Sequence, residues 1–161
     1  MKVKESKIDI AKVEVGMYWY MDDTFSFEIV AGKKRKAIVE LIEKGVIYGD
    51  LTASEISDIK DISSNWWSAR DYIERFSYDC KKNEKIVWYD VEQLKRVYDQ
   101  YVPVRKAFEK IGKKYREYGY WTSTERPSMC ACYVYFYRGI KFVYSKSLIC
   151  YLRPVLALKV N

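Results

Sequence analysis

No histidine occurs among the 161 residues, which removes the Ser-His and Cys-His nucleophile pairs and the commonest general base. The glycine-rich loops that cradle phosphates, of P-loop or dinucleotide-binding type, are missing as well. Chemistry by carboxylates alone would remain, but nothing in the sequence brings Asp50, Glu55, Glu92 or Glu125 together. The chain is therefore read as a non-enzyme without a cofactor. No apolar run approaches the roughly eighteen residues of a membrane helix, so no membrane span is expected. The opening MKVKESKIDIAKVEVG also lacks the apolar centre and cleavage site of a secretory leader. Two locations stay open: cytoplasm or phage particle, or cell surface and secreted if a leader was removed. The four cysteines show no Cys-x-x-Cys pair and no spacing of a stapled secreted domain. No metal site is expected, and disulfides remain open.

What is present fits one domain over 1–161, with 1–12 as a flexible N-terminal segment. Net charge is +7 and the pI is near 9.1. The cations are scattered, however, with KKRK at Lys33 to Lys36 and KKYR at Lys113 to Arg116 as the densest groups. Without a helix-turn-helix, zinc-finger or RNP pattern these read as solvated faces, and nucleic acid is not the expected partner.

Along the chain, VEVGMYWY and FSFEIV flank the polar Met21 to Thr24 and predict a hairpin. KAIVELI and VIYGDLT flank Glu43-Lys44-Gly45 and predict a second, with a helix as the rival for KAIVELI. Ile59 to Ser64 reads as turn. Ser64 or Asn65 then caps a helix from Trp66, whose Trp66, Ala69, Ile73 and Phe76 recur at helical spacing. Asp90 caps a second helix with Val91, Leu94, Val97, Tyr98 and Tyr101 on one face. Pro103 interrupts it, and VRKAFEKIGKKY continues as a short separate helix stopped near Gly112. After Gly119, YW, CYVYF, IKFVYS and YLRPVLALKV read as strands joined by turns at Arg138-Gly139 and Lys146-Ser147. Overall the order is strands, two helices, strands.

Aromatic residues make up 17% of the chain, with sixteen tyrosines. Buried tyrosines serve as core with a wet hydroxyl, and exposed ones supply rigid contact area at small entropic cost. Alternation allows both in a segment such as CYVYF, where successive side chains face opposite ways. By the same alternation Cys130 and Cys132 share a face.

The stretch Tyr120-Trp121-Thr122-Ser123-Thr124-Glu125, then Ala131, Tyr133, Val134, Phe136, Gly139, Lys146 and Tyr151-Leu152-Arg153-Pro154-Val155, resembles the ending of the Lcl C-terminal domain family. Upstream, Val15-Gly16, Tyr18, Tyr20, Asp22 and Thr24 resemble that family's opening hairpin. WYDVEQLKRVY is similar to its second helix, with Tyr89 and Asp90 in place of the usual Leu-Pro. The resemblance is looser between Gly32 and Ser63. It implies an α+β, C-type-lectin-like fold with two helices packed on small twisted antiparallel sheets. Such a fold does not itself confer sugar binding, and the Glu-Pro-Asn and Trp-Asn-Asp ligand motifs of calcium-dependent lectins are absent.

The family also resembles the variable proteins of diversity-generating retroelements, in which adenines of Asn-type codons are randomised. Mutating an AAC codon reaches the residues found at Arg126, Pro127, Ser128, Cys130, Cys132, Tyr135, Tyr137, Arg138, Phe142, Tyr144, Ser147, Leu148, Ile149 and Cys150. It does not reach Met129, Lys141 or Lys146. Diversification and ordinary drift of a surface both fit this pattern.

The expected function is a non-catalytic binding or adhesion module whose ligand-binding residues are Arg126, Cys130, Cys132, Tyr135, Tyr137, Arg138, Phe142, Tyr144, Ser147 and Ile149. The expected partner is a protein or glycan on a cell, phage host or matrix. Trp121, Tyr133, Val134, Phe136 and Arg153-Pro154-Val155 would form the frame, with Arg153 either paired with Glu125 or at the surface. The alternatives are an assembly subunit of a surface, fimbrial or phage-tail structure, and an enzyme of the formylglycine-generating lineage using Cys130 or Cys132.

Overall fold

The computed structural model describes residues 8–160. Of the N-terminal segment expected to be flexible, residues 1–7 lie outside the described residues, and Ile10–Lys12 form one 3-10 turn capped by Asp9. The first hairpin pairs β1 (Tyr18–Tyr20) with β2 (Phe25–Ser26). Its turn is held by Asp22, whose carboxylate accepts hydrogen bonds from Thr24 N (3.1 Å) and Thr24 Oγ1 (2.6 Å). The second hairpin is β3 (Arg35–Glu43) with β4 (Val46–Asp50), so KAIVELI is strand rather than helix.

Ile62 to Ser64 forms a strand, β5 (Ile62–Ser64), where turn was expected. Its polar residues do not oppose this, because it is a short sheet-edge strand with a largely wet face. Helix α1 (Trp66–Arg75) starts at Asn65, whose side chain accepts from Ser68 N at 2.9 Å. After β6 (Glu84–Val87) comes α2 (Val91–Asp99), opened by a reciprocal capping box. Asp90 accepts from Gln93 N at 2.8 Å, and Asp90 N donates to Gln93 Oε1 at 3.1 Å.

The short separate helix expected in VRKAFEKIGKKY is present, so the described residues hold three α-helices and not the two that the fold resemblance implies. Pro103 does not merely end α2; it sits in the first turn of α3 (Val102–Lys110), where its missing N–H costs nothing. Val104, Ala107 and Phe108 then bury one face of α3.

The remaining strands are β7 (Gly119–Arg126), β8 (Cys130–Tyr135), β9 (Ile140–Ser145), β10 (Cys150–Leu152) and β11 (Val155–Lys159). They build two sheets, one ordered β2-β1-β3-β4-β11-β6 and the other β5-β10-β7-β8-β9. Pairing is antiparallel except between β10 and β7. The architecture is α+β, with three helices and two mostly antiparallel sheets. YLRPVLALKV is two strands in different sheets, because Arg153-Pro154 carries the chain from one sheet to the other.

The main core lies between the sheets and under α2 and α3. It gathers Tyr18, Ile38, Leu94, Val97, Phe108 and Val134 with their neighbours. A second core, around Trp19, Val39, Ile47 and Leu156, contains none of the main-core side chains and alternates with them along β1 and β3. A third joins α1 to the second sheet through Trp66, Ala69, Trp121 and Leu152. Among the described residues no helix is long and apolar enough to cross a membrane.

KKRK is not wholly the solvated run expected. Arg35 and Lys36 already belong to β3, and Lys36 is buried, with its ammonium 2.7 Å from Glu84 and 3.2 Å from Asp23. A register shift between β1 and β3 leaves Lys36 as the unpaired bulge residue and turns it towards Trp19, and two carboxylates make that burial tolerable.

Candidate functional site

Strand register determines which C-terminal side chains share a face. Across β7, β8 and β9, Gly119, Tyr135 and Ile140 stand side by side; Trp121, Tyr133 and Phe142 form the next row; and Glu125, Ala131 and Tyr144 form a third. These rows make one face of the second sheet. Helix α1 packs at its β5–β10–β7 end, through Trp66 against Trp121 and Leu152. Among the described residues the β8–β9 end has no such cover, and Tyr135, Ile140, Phe142 and Tyr144 are all exposed there.

The rings of Phe142 and Tyr144 meet that of Tyr133. Tyr133 stacks on Phe142 at 5.3 Å between centroids and lies 4.9 Å from Tyr144, while Trp121 meets Tyr133 edge-on at 6.2 Å. The geometry is that of favourable aromatic pairs, so the contact surface is pre-ordered. Gly119 allows it, since a Cβ there would stand 3.0 Å from the Tyr133 ring. Partial burial pushes the Tyr133 hydroxyl above its ordinary range, so it remains a neutral hydrogen-bond donor.

The opposite face of β8 is core. Cys132 and Val134 point towards α2 with Phe136, and Cys132 is only 3% exposed. Cys132 is therefore a correction among the expected contact residues: alternation puts it on the face that α2 covers. Cys130 lies on the same side but is half-exposed at the strand end, paired across to Arg126 and Ser145.

At the far end of the hairpin, Tyr137 and Arg138 sit in a turn closed by Gly139 N donating to Tyr135 O at 2.7 Å. Gly139 has φ +66 and backs onto the Tyr98 ring, leaving no room for a side chain. Tyr137 is 66% exposed, and its ring lies 6.0 Å from that of Tyr135. Ser147 and Ile149 occupy the loop before β10, with Ile149 64% exposed. That loop lies beside the Arg126–Cys130 turn, because Lys146 N donates to Met129 O at 2.7 Å.

The expected residues thus separate into three groups. Tyr135, Phe142 and Tyr144 form one surface, extended by Tyr137 and Arg138. Ser147, Ile149, Arg126 and Cys130 cluster at the other end. Cys132 joins neither.

Several neighbours were missed. Ile140, Val143 and Met129 are exposed and apolar beside these groups, and Tyr133, assigned to the frame, contributes its stacked ring to the open face. IKFVYS held the signal: apolar residues at 140, 142, 143 and 144 break strict alternation, as an edge strand wet on both faces permits.

The frame also differs from expectation. Arg153 is 7% exposed and bonds Asp50 at 2.8 Å, whereas Glu125 is exposed and pairs with Lys146 at 2.6 Å. The cause is the crossing between sheets, which carries Arg153 inward, against the Tyr120 ring at the start of β7 and away from Glu125 near its end. Lys146 in turn lies 4.4 Å over the Trp66 ring and accepts Trp66 N through its carbonyl, fastening the variable-looking loop to α1.

All four cysteines are free thiols. Burial pushes the Cys150 thiol up to about 12, which leaves it an unreactive apolar side chain. Among the described residues no cluster of His, Cys, Asp and Glu could hold a metal ion. No protein-family model and no curated protein matches this chain.

Proposed function

We propose that the protein is a non-catalytic binding module whose contact surface is the uncovered face and free edge at β8–β9. The observation that carries this is the aromatic patch on β8 and the edge strand β9, where the exposed Phe142 and Tyr144 pack on the half-buried Tyr133 and the exposed Tyr135 lies against Tyr137. Exposed apolar patches of this kind mark recognition sites, and aromatic residues dominate their energetics. Arg126 and Arg138 place charge at the two ends of the hairpin. The partner is a protein or glycan borne on another cell, a phage host or matrix.

We also propose that the fold is C-type-lectin-like and that the chain belongs with the Lcl C-terminal domain family. In support, the order of hairpins, helices and closing strands agrees with that fold, and Trp121, Lys146 and Arg153-Pro154 act as the rigid frame that the resemblance implies. On this reading Tyr135, Tyr137, Phe142, Tyr144 and Ile149 are positions that change without loss of the frame.

The test is the triple variant Tyr135→Ser, Phe142→Ser, Tyr144→Ser. Labelled wild-type protein is expected to bind specific members of a glycan array or a panel of bacterial cells. The variant should lose that binding while its Tm stays within a few degrees. Binding that survives in the variant, or a variant that no longer folds, would show that these rings are not the contact surface.

The free β9 edge favours one second function, a subunit that assembles through strand pairing. Concentration-dependent oligomers abolished by Val143→Pro would select it.

A further inference from the structure

On the opposite side of the second sheet, a cavity of about 430 Å³ opens between the Asp50–Thr52 corner, residues 58–61 and the segment that follows α3. Arg153 and Asp61 line it together with Tyr115, and each holds a buried polar atom with no hydrogen-bond partner: Arg153 Nη2, Asp61 Oδ1 and the Tyr115 hydroxyl. The other unpaired buried atoms among the described residues, on Glu40, Ser54 and Arg105, belong to side chains outside this lining. Half of the unsatisfied groups therefore converge on one space. They differ in kind: a charged donor, an acceptor, and a hydroxyl that does either. Folding alone selects against such orphans, so their gathering points to a ligand.

The rest of the lining sets the chemistry. Tyr118 and Tyr151 stack at 3.8 Å between centroids and form an aromatic wall. Lys60, Lys113, Lys114 and Arg116 stand around the opening. Together with Arg153 they outnumber Asp50, Asp58 and Asp61, and Asp50 is already engaged by Arg153 and Thr52. Lys113 is held in place by donating to Thr52 O (3.1 Å) and Ser54 O (3.0 Å). The field favours an anion, and Asp61 Oδ1, 3.9 Å from Arg153 Nε but without a hydrogen bond, suits a molecule that also donates.

We propose that this cavity binds a small hydroxylated carboxylate of sugar-acid type, with the carboxylate on Arg153 Nη2 and the surrounding cations, a hydroxyl on Asp61 Oδ1 and Tyr115, and a ring face on the Tyr118–Tyr151 wall. The site is separate from the β8–β9 surface and stands or falls independently of it.

Titration of the full chain with D-glucuronate, followed by calorimetry and by backbone amide shifts, tests this. Saturable binding is expected, confined to residues around the cavity, with D-glucose and acetate each at least tenfold weaker. Tyr115→Phe removes the orphaned hydroxyl and keeps the ring; it should weaken glucuronate about fivefold, the worth of one neutral hydrogen bond, and melt no lower than wild type. The Tyr135, Phe142 and Tyr144 triple variant should bind glucuronate unchanged. A glucuronate-terminated disaccharide binding more tightly than the free acid would identify a glycan end as the source, and the reverse a free metabolite. Absence of saturable binding, equal binding of glucose or acetate, or a Tyr115→Phe protein that binds normally or loses stability would each overturn the proposal.

Discussion

Replacing Arg153 by Met takes the guanidinium out from among Asp50, Glu40 and Asp61 while keeping a long side chain in the space between the sheets. Removing one partner of a buried ion pair costs about 3–5 kcal/mol, because the other charge stays behind without water. The guanidinium also lies 4.3 Å from the Tyr120 ring and 4.8 Å from Tyr115, and those contacts go with it. Burial already pushes the Glu40 and Asp61 carboxyls up, so part of the stranded charge is relieved by protonation. The expected loss is therefore near the lower bound, about 3 kcal/mol, or a fall in Tm of about 6–12 °C for a chain of this size. Urea unfolding followed by the fluorescence of the five tryptophans measures it. The deficit relative to wild type should shrink as acid protonates the carboxylates left behind. Glu125→Gln is the control: it removes an ion pair whose Glu125 carboxylate is exposed while the Lys146 ammonium is buried, and should cost about 1–2 kcal/mol, less than loss of the fully buried guanidinium. If Arg153→Met cost less than Glu125→Gln, or its deficit did not vary with pH, Arg153 would not be the ion that holds the two sheets together.

Burial holds the Glu40 carboxyl up at about 8, with the Asp50 charge acting the same way against Arg153 and the Tyr89 hydroxyl. A folded pKa above the unfolded 4.5 means that the native state binds the extra proton, so stability falls as pH rises from about 4.5 to about 8 and then levels. Glu40→Gln should flatten that part of the stability profile, and an unchanged slope in urea midpoints across the window would refute the assignment. Gly139→Ala sets a side chain at φ +66 against the Tyr98 ring and should cost about 1–3 kcal/mol. Calorimetry reads this directly, and an unshifted Tm would mean that the β8–β9 turn is not fixed by that glycine.

What was legible in the sequence was carried by near neighbours. The Asp22–Thr24 turn, the Asn65 and Asp90 caps and the helical stripe of Val91, Leu94 and Val97 each span a few residues and have their own chemistry. What escaped depends on sheet order. Arg153 meets Asp50 across 103 residues and Lys36 meets Glu84 across 48, so no local pattern could name either partner. Lys36 looked solvated because three cations precede it, yet a bulge in the β1–β3 pairing decides which of the four turns inward. Pro103 was ambiguous for a related reason: the same residue ends one helix and starts the next, and only the burial of Val104 and Phe108 makes the second helix worthwhile.

The candidate surface was half legible, and the missing half is a question of which face is covered. Alternation alone puts Tyr133 and Tyr135 opposite Cys132 and Val134, but it is silent on where α2 sits. With α2 on the Cys132 side, substitution there disturbs Val134, Phe136 and the helix packed on them. Substitution at Tyr135, Phe142 or Tyr144 meets solvent and neighbouring rings instead. The same division runs through the loop before β10, where Ile149 is exposed and Cys150, the next residue, packs against Trp66 and Trp121. A chain built this way separates the side chains that specify its fold from those it presents, residue by residue along the same strands. Change at the presented positions then alters what is recognised at small cost in stability, while change at Cys132 or Cys150 is limited to side chains that still fit the core.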